Sequence, residues 1–568
     1  MPSSERCVES AATLSFAQQR LWFLDRLRPG RPDHNVPVAI RLEGPLDRGA
    51  LVSALTEVVR RHEVLRSRIT VVDDSPYQVT EPVDTFVPTL TDLTRLPVAR
   101  AEERARAWVA QDAATPFDLG TAPMVRARLV RVADDDHLLV LVFHHIAADG
   151  WSVSVLWQEF SAAYRAAVAD EPFDLPDLPL QYEDFADWQR KYLDGPALRQ
   201  QLDHWRERLA GTGPAPLPTD RPRPALWSGR GDQVDVEFPA ELTERIRALG
   251  RTHETTPFMT LLAAFQLLLA HHSDRPDVTV GTPMSGRTRI EVEPLIGFFV
   301  NTLALRTDLS GDPSFTEALA RVRRCAVDAY AHQDVPFDRL VEELRPERDL
   351  GQHPLFTVMF QLEGPPPLPS GLPGLDVSAH DVPYEIVKFD VEVSLTDRGD
   401  RFTGALRYAA DLFDRGTVER LADDYLKLVG LLVDDPERPV SHWAAHLSPR
   451  ANRSASGPRP DGAGPVAPDG ARPTETELLV MDVWAEVLDV APGSVHDDFF
   501  ALGGHSLVAA KAMSRLGRAL DVELPLPLLF YHPTVAELAQ SIEAALLADL
   551  DSTHSHPAPL PAGEDQRP

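Results

Sequence analysis

The chain has 568 residues, too many for one hydrophobic core, so several domain-sized units are expected. Acidic residues outnumber basic ones by 86 to 56, and the formal charge of -30 repels phosphate backbones and anionic lipid surfaces, which argues against nucleic-acid and membrane partners. The two cysteines, Cys7 and Cys325, lack CxxC spacing and support neither a disulfide framework nor a zinc site. The N-terminus has no basic segment followed by an apolar run, and no later stretch reaches about 18 uninterrupted apolar residues, so a cytoplasmic protein is expected.

In chain order, about the first 450 residues are of mixed character. Helical stretches such as RGALVSALTEVVRRHEVLRSRI (48–69) and TPFMTLLAAFQLLLAHH (256–272) alternate with strand-like ones. The latter include DHLLVLVFHH (136–145), GDQVDVEF (231–238) and DVTVGTPM (277–284). This predicts an α/β region. A proline-rich break, GTGPAPLPTDRPRP (211–224), divides it into lobes of about 13–210 and 225–449, with a cleft between them as the natural ligand site.

From Ser454 to Pro473 small residues, proline and glycine replace all apolar periodicity, which predicts a flexible linker over 450–473. Beyond it, 474–546 reads as a small three-helix bundle. In TETELLVMDVWAEVLDV, Leu478, Leu479, Val483, Val487 and Leu488 recur at helical spacing, and Thr474 and Glu477 are placed like a capping box. HSLVAAKAMSRLGRAL carries a stripe of Leu507, Ala510, Met513, Leu516 and Leu520, and TVAELAQSIEAALLADL makes the third helix. The tail, 547–568, is polar and proline-rich at its end and is expected to be disordered.

Two stretches carry chemistry. In HLLVLVFHHIAADGWS (137–152) an apolar strand ends on His144 and His145. Neighbouring side chains on a strand point to opposite faces, so one histidine faces a site and the other props the turn. Gly150 allows a tight path by which Asp149 folds back to orient a histidine or hold an arginine. Taken alone, the same residues are equally compatible with surface histidines and a turn-forming aspartate. In DDFFALGGHSL (497–507), Gly503 and Gly504 precede Ser506, which opens a helix whose free N–H groups suit a phosphate. Taken alone, Ser506 would be an ordinary helix cap.

In order, LSFAQQRLWFLDRL (14–27), RHEVLRSRI (61–69), HHIAADGWS (144–152), YEDFADW (182–188), IGFFVNTLALR (296–306), HQDVPFDRLVEEL (332–344) and HPLFTVMFQ (353–361) resemble the condensation domain of nonribosomal peptide synthetases. The resemblance runs over residues 13–449 and is closest to members that accept an L-configured donor. Residues 474–546, with the GGHS segment, resemble a peptidyl carrier protein. Val335 departs from a common tyrosine, and Gly351-Gln352 from a frequent serine and arginine.

The resemblance implies two chloramphenicol-acetyltransferase-like lobes in a V, spanning 1–449, followed by an all-α carrier. It implies an acyltransferase in which the amine of a carrier-bound aminoacyl group attacks a donor acyl or peptidyl thioester. His145 matches the active-site histidine, and sequence leaves open whether it acts as a general base or positions the amine. Asp149 matches a structural aspartate paired with an arginine, here Arg287. His144, Gly150, Trp151, Arg66 and Arg68 are scaffold or tunnel residues. Ser506 matches the serine that carries 4'-phosphopantetheine, and no metal is required.

Implied partners are an upstream donor carrier, a phosphopantetheinyl transferase and a downstream synthetase or thioesterase domain. No adenylation domain stands between the two regions, so a stand-alone adenylation enzyme is expected to load Ser506 in trans. No GxSxG elbow follows the carrier, which puts release elsewhere. Transfer to a hydroxyl or soluble amine is the alternative chemistry. A non-catalytic carrier-docking platform is the alternative class.

Overall fold

The computed structural model describes residues 11–215, 217–224, 227–344, 353, 355–382, 386–448, 473–504, 506–522 and 524–553. They form two compact units, one drawn from within residues 1–460 and one chiefly from residues 461–568.

In chain order the elements run β1 (Ala11–Thr13), α1 (Phe16–Leu27), β2 (Asn35–Glu43), α2 (Arg48–Arg61), β3 (Ser67–Val72), β4 (Ser75–Thr80), β5 (Thr89–Asp92) and α3 (Val98–Ala114). Next come β6 (Val125–Ala133), β7 (Asp136–His144), α4 (Gly150–Ala169), α5 (Tyr182–Tyr192), α6 (Pro196–Leu209), β8 (Gly231–Phe238), α7 (Ala240–Thr252) and α8 (Pro257–Ser273). There follow β9 (Asp277–Met284), β10 (Asn301–Asp308), α9 (Phe315–Ala331), α10 (Phe337–Leu344), β11 (Val358–Glu363), β12 (Asp376–Ala379), β13 (Val391–Asp397), β14 (Phe402–Ala409), α11 (Arg415–Asp434) and α12 (Ser441–Ala444).

The first lobe is built on a five-stranded sheet of order β12-β2-β7-β6-β5. Its central strand β7 is buried from His137 to His144. With both faces covered, the strand reads as a continuous apolar run instead of an alternation. Ala101, Ala105 and Val109 of α3 recur every four residues and pack on Val130, Leu138, Val140 and Val142. The second lobe carries a six-stranded sheet of order β10-β9-β11-β13-β14-β8. Its helix α8 is buried without a break from Met259 to Leu269, so it forms the lobe's interior.

Two boundaries differ from the simple split at 211–224. Strand β12, from the sequence range of the second lobe, pairs antiparallel with β2 of the first, with Val377 opposite Leu42. The exchange covers what would otherwise be an open sheet edge. Helix α6, within the range assigned to the first lobe, sinks Leu198, Leu202, Trp205 and Leu209 into the core of the second. There the Trp205 indole N–H donates to the carbonyl of His332 at 2.9 Å.

The smaller unit contains α13 (Glu475–Leu488), α14 (Ser506–Leu520), a short α15 (Pro527–Tyr531) and α16 (Val535–Thr553). The capping box at its start is formed, with Glu477 N donating to Thr474 Oγ1 at 3.1 Å and Thr474 N to Glu477 Oε2 at 2.7 Å. The buried face of α13 is Val480, Val483 and Trp484, while Leu478 is 48% exposed, so the apolar stripe is rotated from the expected one. Trp484 decides this rotation, because its indole is the largest group available to fill the bundle against Phe499, 4.9 Å away.

Two further differences concern the bundle's helix count and its end. The short α15 adds a fourth helix to the expected three. Helix α16 passes residue 546 and ends at Thr553, because ALLADL continues the helix-favouring composition into the segment expected to be disordered. The rest of that tail, 554–568, and the linker up to Arg472 lie outside the described residues. Among the described residues no helix is long and apolar enough to cross a membrane, and no cluster of side chains is arranged to hold a metal ion.

Candidate functional site

Strand β7 delivers its two histidines to different surroundings. The His144 N–H donates to Met124 O at 3.0 Å, while the His145 N–H donates to His34 O at 2.7 Å. His144 is buried, edge-on to His34 and Phe117 at 6.1 and 5.8 Å between ring centroids. Its Nδ1 accepts the N–H of Ile146 at 3.1 Å, which places the ring proton on Nε2. Burial pushes its pKa down to about 3.

His145 is half-buried, and its Nδ1 lies 2.8 Å from the carbonyl of Ala148. A carbonyl oxygen can only accept, so Nδ1 carries the proton and Nε2 keeps a lone pair. The ring packs 4.5 Å from that of Phe298, a residue of the second lobe. Burial, and next the ammonium of Lys388, push the His145 pKa down to about 3. The imidazole is therefore neutral near pH 7, with one nitrogen fixed and the other available.

Asp149 is wholly buried and caps α4. Its Oδ1 accepts from Ser152 N at 2.9 Å, from Ser152 Oγ at 2.7 Å and from Arg287 Nη2 at 3.1 Å, and its Oδ2 accepts from Phe299 N at 3.0 Å. Four donors satisfy a carboxylate that would otherwise be costly to bury. Arg287 is equally engaged. Its Nη1 donates to Val292 O at 2.6 Å and Leu295 O at 2.8 Å, and its guanidinium lies 4.0 Å from the Phe299 ring. Burial lowers the Arg287 pKa, and Asp149 opposes that shift. Since Asp149 belongs to the first lobe and Arg287 and Phe299 to the second, the cluster joins them.

Gly150 differs from its expected part. Asp149 folds back with extended backbone at φ -124°, and a Cβ at Gly150 would meet nothing within 4 Å. No tight path requires glycine there. Trp151 is 45% exposed and its indole donates to Glu293 O at 3.0 Å. Arg66 and Arg68 pair with Glu63 and Glu81 at 3.1 and 2.7 Å and brace the three-stranded sheet β1-β4-β3.

Several residues that shape the site went unmarked by sequence. Phe298 sat inside IGFFVNTLALR without a feature to set it apart from Phe299. Ser152 sat inside HHIAADGWS, where its spacing of three from Asp149 is a capping signal. Lys388 and His34 lie in segments with no motif, and only the fold brings them to His145.

In the smaller unit the turn before α14 is set by its glycines. Gly503 has φ +103°, a conformation that favours glycine. A Cβ on Gly504 would lie 2.3 Å from the Phe499 ring and 2.6 Å from its carbonyl oxygen. Asp498 holds the preceding turn, accepting from Phe500 N and Ala501 N at 2.8 and 3.0 Å. Ser506 is thereby the first residue of α14, whose helix axis presents its positive end there. A bare turn, with open space over Gly503, and a helix N-terminus fit a phosphodiester. His505 lies outside the described residues.

The condensation domain family matches residues 8–451, and the phosphopantetheine attachment site family matches residues 479–542. A linear gramicidin synthase of Brevibacillus parabrevis is 42% identical over 431 residues, which cover 75% of this chain and 8% of that protein. Thus the chain spans a small part of the length of that relative. Among solved structures, the X-domain from teicoplanin biosynthesis is 31% identical, with a TM-score of 0.70 over 76% of this chain and 96% of that one. The SgcC5 protein from Streptomyces globisporus, in complex with a naphthyl ethanediol, is 28% identical, with a TM-score of 0.63 over 75% of this chain and all of that one.

The chain belongs to the condensation-domain family of nonribosomal peptide synthetases. Its second region is a phosphopantetheine-bearing carrier domain.

Proposed function

We propose that the chain joins two acyl groups, forming an amide between a donor acyl or peptidyl thioester and the amine of an aminoacyl group carried on its own Ser506. The observation that carries this reading is the neutral His145, with Nδ1 spent on Ala148 O, a lone pair left on Nε2, and the ring packed on Phe298 of the second lobe. When bound to Ser506, 4'-phosphopantetheine supplies the thiol that holds the aminoacyl group.

His145 Nε2 accepts an N–H of the incoming amine and orients its lone pair toward the donor carbonyl. The C–N bond forms, the C–S bond of the donor breaks, and the proton lost by nitrogen leaves with the thiol. An imidazole of such low basicity favours positioning over storing a proton. Phe298 holds the ring's orientation, while Asp149 and Arg287 hold the lobes in register. Gly503 and Gly504 keep the approach to Ser506 bare.

The stretch between the two family matches, 452–478, has no room for an adenylation domain, which supports loading of Ser506 by an adenylating enzyme encoded elsewhere. A further carrier brings the donor thioester, and a further synthetase or thioesterase domain takes the product onward. The motif set supports an L-configured donor.

The test is reconstitution. A phosphopantetheinyl transferase charges Ser506 from an aminoacyl coenzyme A, a separate donor carrier bears a peptidyl thioester, and intact mass spectrometry follows the chain. A mass gain of the donor acyl group on the protein, lost in His145→Ala, is the expected result. Equal gain in His145→Ala overturns the catalytic assignment of His145, and no gain in the parent leaves a docking platform.

A second reading, transfer to a hydroxyl, is favoured by the likeness to SgcC5, whose structure holds a diol. A diol added to the same assay gives a free ester and no mass gain on Ser506 if that reading holds.

A further inference from the structure

The segments LSFAQQR (14–20), YEDFADW (182–188) and IGFF (296–299) supply no reacting atom, yet they meet around His145. At the start of α1, Ser15 N donates to Gln18 Oε1 at 3.0 Å and Gln18 N to Ser15 Oγ at 3.1 Å, which makes a capping box. With Oε1 so engaged, Gln18 turns its amide nitrogen away from the helix, donating to Gln78 Oε1 at 3.3 Å and to Ile146 O at 3.4 Å. Ile146 follows His145, so the cap of α1 braces one side of the histidine turn.

Tyr182, the first residue of α5, acts on the other side. Its hydroxyl lies 2.6 Å from Phe298 O and 2.9 Å from Ser15 Oγ. A carbonyl oxygen only accepts, so the Tyr182 proton goes to Phe298 O and Ser15 donates to the phenol oxygen. Both residues are buried, and burial raises the Tyr182 pKa, which keeps the phenol a donor. A Cβ on Gly297 would fall 2.1 Å from Tyr182 Cδ2, so only glycine there lets the phenol lie along this strip and reach Phe298 O. The flanking amides are held as well, Gly297 N donating to Ser152 Oγ at 3.1 Å and Phe299 N to Asp149 Oδ2 at 3.0 Å. Between them stands Phe298, whose ring packs 4.5 Å from that of His145. A single hydrogen bond from His145 Nδ1 to Ala148 O leaves the imidazole free to swing about that bond, and a fixed ring packed against it removes the freedom.

We propose that Tyr182, oriented by Ser15, is a positioning residue for the reaction: it fixes Phe298 O, and through the Phe298 ring it holds the His145 imidazole at one rotation. The inference rests on His145 being the reaction centre.

Tyr182→Phe removes the hydroxyl and keeps the ring. With Ser506 charged and the donor carrier saturating, the single-turnover rate of amide formation should fall at least about tenfold, while the donor-carrier concentration at half-maximal rate stays within about twofold. Phe298→Leu keeps the backbone hydrogen bond and removes the ring. It should give a similar loss, and the two substitutions together should cost no more than about twofold beyond either alone. In a His145→Ala background, where no imidazole is left to position, Tyr182→Phe should change the residual rate by less than about twofold. A merely structural role would lower that residual rate by the full factor.

A Tyr182→Phe rate within about twofold of the parent, or an equal loss with and without His145, overturns the inference and leaves His145 as the reaction centre. Should Tyr182→Phe fail to fold, Phe298→Leu decides. A parental rate in Phe298→Leu overturns the inference, and a tenfold loss that vanishes in the His145→Ala background supports it. A parental rate in His145→Ala overturns the assignment of the reaction centre and this inference with it.

Discussion

Arg287 Nη2 lies 3.1 Å from Asp149 Oδ1, with 1% and 0% of the two side chains exposed, and each charge comes from a different lobe. Removing one partner strands the other in a dry interior. Asp149→Ala is expected to cost about 3–5 kcal/mol of stability, seen as a lowered Tm, and activity should fall with it. Asp149→Asn keeps an N-cap side chain and should cost less. The double variant Asp149→Asn, Arg287→Met should recover part of the loss of Asp149→Ala, since it leaves no unpaired charge. An unchanged Tm with abolished product formation would instead place Asp149 in the chemistry.

His145 contributes little to the fold by comparison. Among the described residues its side chain makes one hydrogen bond, to Ala148 O, and one ring contact, to Phe298. His145→Ala is therefore expected to keep the circular dichroism spectrum and Tm near those of the parent while product formation falls by about 10²–10⁴-fold. Retention of most of the rate would remove His145 from the reaction.

The low pKa of His145, about 3, fixes the form of the pH profile. Between pH 5 and 9 the imidazole is already neutral, so its titration adds no acid limb. The acceptor amine, with an ordinary pKa of about 8, must lose its proton to attack. The single-turnover rate should rise tenfold per pH unit to about pH 8 and then level. A break near pH 6.5 that disappears in His145→Gln would show that the histidine titrates instead.

The same burial has the opposite consequence for the folded state in acid. His144 and His145 are held neutral when folded and ionise near 6.5 when unfolded, so below that pH the unfolded chain binds more protons. Their stability contribution is present in full above about pH 6.5 and is lost as pH falls from there toward 3. Thermal scans should show Tm declining through that window, and His144→Gln should reduce the decline. A Tm that held constant from pH 7 to 4 in the parent would contradict this.

What sequence could carry here was local. The run to His144 and His145, the capping box of α13 and the start of α14 at Ser506 all follow from spacing within a few residues. What depended on remote packing was not legible. DVSA (376–379) has no strand periodicity of its own, and only the vacant edge of β2 makes it β12. The loop at 211–224 marks a change of composition, but the core that Leu198, Leu202 and Trp205 enter lies on its far side. In ELLVMDVW apolar residues surround the helix, so the buried face is chosen by where Trp484 meets Phe499. Phe298 acquires its meaning from His145, whose ring it meets across a separation of more than a hundred residues.

The glycines before Ser506 make separable predictions for the carrier. Gly504 is constrained by contact, since an added Cβ would lie 2.3 Å from the Phe499 ring, which itself packs on Trp484. Gly504→Ala should displace Phe499 and destabilise the carrier by roughly 1–3 kcal/mol, the usual cost of overpacking. Gly503 is constrained by its left-handed backbone alone, with nothing within 4 Å of an added Cβ. Gly503→Ala should therefore cost less, about 1 kcal/mol, and Gly503→Asn, which tolerates that conformation, less still. Ser506→Ala should leave carrier stability within about 0.5 kcal/mol and abolish the mass gain on treatment with a phosphopantetheinyl transferase and coenzyme A. A mass gain on Ser506→Ala would move the attachment site to another residue. A Gly504→Ala carrier as stable as the parent would mean that Phe499 is free to shift, and with it the turn that sets Ser506 at the start of its helix.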